Sequence, residues 1–153
     1  MYSPLLFLHS LGRWAVLGGL LYGIGRGYQG WLGRKPFTPH DDTTRHTVAT
    51  VAHVQLVLGY ALYFTSPLLR AFHLRDAVHE PGTLFFGVQH VAAMTVAILV
   101  LTVGSALAKR QPTSQAKFRS MALWFTAALL LVLLAVPWPF SPFASRPYFR
   151  LPF

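Results

Sequence analysis

The chain has 153 residues, of which 54% are hydrophobic and 11% charged, and its formal net charge is +9. Water-soluble domains carry about twice that charged fraction, so a soluble enzyme is excluded. The absence of cysteine excludes disulfides, thiolate metal sites and thioether-linked cofactors.

Four stretches approach the roughly 20 mostly apolar residues that a membrane-spanning helix needs, at about 4–25, 48–64, 84–108 and 121–136. The connections are short, so neighbouring helices run antiparallel. The expected fold is all-α, an integral membrane four-helix up-down-up-down bundle in one domain over 1–153. Its helices are expected at about 4–27, 43–65, 83–108 and 119–136, with a tail over 137–153.

The first helix carries His9, Arg13 and Trp14, then Gly19, Gly23 and Gly27 at four-residue spacing, which suits close approach of another helix. Nothing at the N-terminus resembles a basic segment followed by a small-residue cleavage site, so this stretch reads as a retained helix. Lys35, Pro36 and Pro39 break the chain, and Asp41, Asp42, Thr43 or Thr44 can cap the second helix. That helix ends at Ser66 and Pro67. The segment 68–82 alternates apolar and charged residues and is expected to lie along the membrane surface. Glu80 to Thr83 starts the third helix. The fourth ends at Pro137 and Trp138, with the tryptophan at interfacial depth. The aromatic, proline-rich tail is expected to rest on the outer surface or on a partner.

The bases set the orientation. Arg26, Arg34, Lys35 and Arg45 lie in or beside the first connection, and Lys109, Arg110, Lys117 and Arg119 beside the third. The opposite side has Arg70, Arg75, Arg146 and Arg150. An excess of Lys and Arg marks the cytoplasmic side, so both termini are expected to face outward, in a bacterial inner membrane.

His9, His53 and His90 fall inside apolar segments of three different helices. Ionisable groups are costly in hydrocarbon and mark sites or pathways. The same segments hold Arg13 and no acidic residue, a combination that suits an anionic metallocofactor, with haem b foremost. At 1.5 Å per residue, His9 lies roughly 8 Å and His90 roughly 9 Å inside the same boundary, whereas His53 lies roughly 16 Å in. His9 and His90 are therefore the preferred axial pair, His53–His90 the second choice and His9–His53 the third. Arg13, one turn from His9, suits the haem propionates or, more weakly, a quinone carbonyl; bonding to backbone carbonyls is its structural alternative. For each of the three histidines, a structural imidazole donating to a neighbouring helix is the alternative. Met94 can act as a soft ligand or as core filler. Tyr22, Tyr60, Tyr63, Gln55 and Gln89 offer hydrogen bonds to a quinone or to the histidines. His40, His73 and His79 read as solvated loop residues and His46 as interfacial.

The strings Leu8 to Trp14, His53-Val54-Gln55-Leu56 with Gly59, Tyr63 to Pro67, Gln89-His90 with Met94, and Pro137 to Phe140 fall on all four helices in order. In these the chain resembles a family of small four-helix membrane proteins, mainly of Bacteroidota, described as cytochrome b-like. The family pattern has Glu-His on the third helix where this chain has Gln89-His90, so a role for that acid does not carry over. The resemblance implies haem b held by His9, His53 and His90 in some combination.

The functional expectation is a membrane b-type cytochrome carrying electrons through a bis-histidine haem near the outer face. It would exchange with quinone and work within a larger membrane complex or as a homo-oligomer. The other readings are a haem-dependent membrane oxidoreductase, a copper-handling protein in which all three histidines converge, and an accessory subunit with no redox role of its own.

Overall fold

A computed structural model describes residues 2–69 and 79–141. The expected surface segment at 70–78 and the tail from 142 lie outside the described residues. Four helices pack into an all-α bundle: α1 (Tyr2–Leu32), α2 (Pro39–Thr65), α3 (Pro81–Arg110) and α4 (Ser114–Ala135). All four are long and apolar enough to cross a membrane, and a lipid bilayer is the environment that such helices need.

Each helix runs longer than its apolar core because local chemistry sets its ends. Helix α1 closes in a Schellman arrangement, with Lys35 N–H donating to the Gly30 carbonyl at 3.0 Å and Arg34 N–H to Trp31 at 3.4 Å. This places Arg34 at φ 48°, a left-handed position usually taken by glycine. Helix α2 starts earlier than expected. Its cap is Thr38, not a residue of 41–44, and Asp41 completes a capping box behind Pro39. The threonine and the acid at that spacing satisfy two backbone donors, and the proline removes another, before the apolar pattern begins. Helix α4 is capped by Thr113. Ser66 ends α2 and Glu80 precedes α3, as the proline positions require.

Within α3, residues Phe85–Gln89 form a π-helical turn, and the His90 N–H bonds to the Phe85 carbonyl five residues back. The turn rotates the following helix relative to its first residues.

The end of the bundle near the α1–α2 and α3–α4 connections is closely packed. Gly27 approaches α4 so nearly that a Cβ there would lie 2.9 Å from the Ala122 backbone nitrogen, and Gly30 lies against the Phe118 ring. Gly23 faces Phe125, but Gly19 turns to Val48 on α2. The glycine face towards α4 is therefore Gly23, Gly27 and Gly30, one step displaced from the expected set. Phe118, Met121, Phe125, Leu20 and Leu101 are fully buried around it.

This end also holds two ion pairs. Arg26 meets the fully buried Asp41 at 2.6 Å. Arg45, also buried, meets Asp42 at 2.9 Å and donates to the hydroxyl and carbonyl of Ser105 on α3. The interior thus contains a second arginine besides Arg13, contrary to the expectation from hydropathy. Every donor of Arg45 that enters the bundle is met, which is what makes a buried guanidinium tolerable.

Candidate cofactor cavity

At the opposite end the helices part around a cavity of about 190 Å³, lined by side chains from α1, α2, α3 and the end of α4. Its polar lining includes His9, Arg13, Gln55, Tyr63 and His90, and its apolar lining includes Val16, Met94 and Val132. The imidazoles of His9 and His90 meet edge to face, with ring centres 6.4 Å apart.

The two rings are held differently. His90 Nδ1 lies 2.7 Å from the Ala135 carbonyl, which accepts only, so the proton sits on Nδ1 and Nε2 carries a lone pair. Phe85 and Phe86, from the π-turn, pack on this ring at 5.6 and 6.0 Å between centres. His9 is fixed by Gln55, whose Nε2 donates to the His9 main-chain carbonyl at 2.7 Å and lies 3.2 Å from His9 Nδ1. Turning the amide over would set its oxygen against that carbonyl, so the amide orientation follows from the backbone contact. His9 Nδ1 then accepts, and its proton sits on Nε2. The buried Gln55 Oε1 has no hydrogen-bond partner.

Two glycines make this arrangement possible. A Cβ on Gly12 would collide with Gln55 Oε1, and one on Gly59 would lie 3.2 Å from His9 Cε1. Both positions lack a side chain because Gln55 and the imidazole occupy that space.

Arg13 lines the cavity one turn from His9. Its guanidinium stands over the rings of Trp14 and Trp138, at 5.3 and 5.9 Å. The faces of these rings attract a cation. Trp138 in turn donates from Nε1 to the Leu133 carbonyl.

His53 is not in the cavity. It is exposed on the outside of α2, where Nδ1 bonds to Ala49 and Nε2 to the Thr102 hydroxyl of α3. Positions 53 and 55 are two residues apart on a helix and so point to nearly opposite sides. Gln55, with Ala52, Leu56, Gly59 and Tyr63, makes up the cavity side. The depth estimate paired His9 with His90 but did not resolve helix phase, which separates His53 from both. Residue type alone marks Gln55 only as a general polar group. The spacing of Ala52, Gln55, Leu56 and Gly59 is the signal that singles it out.

Among the described residues, no group of three or more His, Asp or Glu side chains converges as a metal site, so the three histidines do not meet as the copper reading requires. Comparison with family models, curated proteins and solved structures returned no match.

Proposed function

We propose that this is a bacterial inner-membrane b-type cytochrome, with both termini on the periplasmic side, whose cavity takes one haem b between His90 and His9. The observation that carries this reading is the pairing of two imidazoles in one membrane cavity, with ring centres 6.4 Å apart. A metal–imidazole bond is about 2 Å long, so two imidazoles on opposite sides of one ion have ring centres roughly 6 Å apart.

The residues fit the group unequally. His90 already has the form of a ligand, with Nδ1 tied to a carbonyl and Nε2 available. His9 would need its proton moved to Nδ1, which breaks the contact from Gln55 Nε2, so it is the weaker ligand of the two. Arg13 provides permanent positive charge beside His9, suited to the carboxylates of the macrocycle. Haem bound here would supply one-electron chemistry. His90 and His9 would hold it and Arg13 would balance its charge.

A second reading rests on the tautomers. A cavity offering an N–H at His9 and a lone pair at His90 suits a hydroxyl that accepts from one and donates to the other. A quinol has such a group on an apolar ring, and would bind here without haem.

The absorption spectrum of detergent-purified protein, before and after dithionite and with haem extracted per chain, tests both. Split, low-spin reduced bands at one haem per chain support the cytochrome. A colourless protein from haem-sufficient cells sinks it, and co-extracted quinone would then support the second reading.

A further inference from the structure

The packed end of the bundle carries more positive charge than its own acids balance. Asp41 and Asp42 are taken by Arg26 and Arg45. Arg34, Lys35, Lys109, Arg110, Lys117 and Arg119 lie at the same end with no carboxylate partner among the described residues. All but the half-buried Lys117 are exposed, and they stand where the apolar spans end, at the depth of lipid headgroups. Arg119 is set apart by its surroundings. Its guanidinium lies 5.6 Å from the centre of the Trp31 ring, and Tyr28 lies beside that ring. Leu123, Ala127, Leu130 and Leu134 follow it at steps of three and four residues, so they share its face of α4, and all are exposed. From Arg119 to Leu130 is roughly 16 Å along the helix, about the depth of one hydrocarbon leaflet. Lys117 also stands over a ring, with Phe37 at 5.3 Å, but Met121, one turn on, is fully buried, so no apolar strip descends from it.

We infer that a phospholipid with an anionic headgroup binds on this side of α4, its phosphate at the Arg119 guanidinium and an acyl chain along Leu123, Ala127 and Leu130. A guanidinium presents paired donors that match two phosphate oxygens. The Trp31 face holds it at the level where phosphate and acyl chain join. The unbalanced bases around it attract net negative charge and oppose the ammonium group of a zwitterionic lipid. Free phosphate makes no use of the apolar strip, whereas one phospholipid meets the charge and the strip together. The inference is independent of what the cavity holds.

Native mass spectrometry of the full chain in neutral detergent tests this, with phosphatidylglycerol, phosphatidylcholine or inorganic phosphate added at equal concentration. The parent protein retains phosphatidylglycerol in preference to phosphatidylcholine, and phosphate does not displace it. Arg119→Gln lowers the retained phosphatidylglycerol about five-fold, the effect of one base at headgroup level. Lys109→Gln, which removes the same charge from α3, leaves it nearly unchanged. Equal retention of the two lipids by the parent, or displacement by phosphate, overturns the inference without any variant having to fold. So does the absence of a loss in Arg119→Gln, or an equal loss in Lys109→Gln.

Discussion

The two ends of the bundle are built from the same four helices on opposite plans. Near the α1–α2 and α3–α4 connections, glycine and alanine let α1 and α4 close on Phe118 and Phe125, and the Arg26–Asp41 ion pair and the Arg45–Ser105 hydrogen bonds bind the helices together. At the other end, glycines serve polar side chains instead. Gly12 makes room for Gln55 and Gly59 for the His9 ring, and the helices stand apart around a cavity. The contrast lies in what a missing side chain admits: another helix at one end, a polar group at the other.

The largest stability effect is expected at the packed end. Gly27→Leu must push α1 from the Ala122 backbone, and overpacking of this kind costs about 3 kcal/mol or more. A thermal melt in mild detergent should show a clear drop, or no folded protein. Asp41→Ala removes the capping box and leaves Arg26 without its partner, a loss of about 2 kcal/mol, read in the same melt.

Changes at the cavity end should behave in the opposite way. Gly59→Ala is expected to leave the melting temperature nearly unchanged while displacing His9, so that haem recovered per chain falls by more than half. A large loss of stability without a change in pigment would break the division between the two ends. The smallest effect is expected at the α1 terminus. Arg34→Gly relieves a left-handed residue and should raise stability by about 1 kcal/mol, without touching the cavity.

How much of this was legible in the sequence depends on which physical property each feature rests on. The four spans follow from composition, because hydrocarbon demands long apolar helices whatever their packing. Thr38, Pro39 and Asp41 form a cap whose spacing is readable in the sequence, with the acid at the third helical position rather than at the cap itself. The pairing of His9 with His90 follows from depth, a one-dimensional count. The exclusion of His53 depends on helix phase, and phase distinguishes inside from outside only once the neighbouring helices are known. The burial of Arg45 depends on Ser105, sixty residues away, and the π-turn before His90 has no local sequence mark.

The most direct test of the cavity is haem content in three single variants, His90→Ala, His9→Ala and His53→Ala, purified under the same conditions and compared with the parent protein. Loss of nearly all pigment from the first, loss or a high-spin spectrum from the second, and parental content and spectrum from the third are the predicted results. Pigment that survives in His90→Ala but disappears in His53→Ala would contradict the assignment of the site to the cavity.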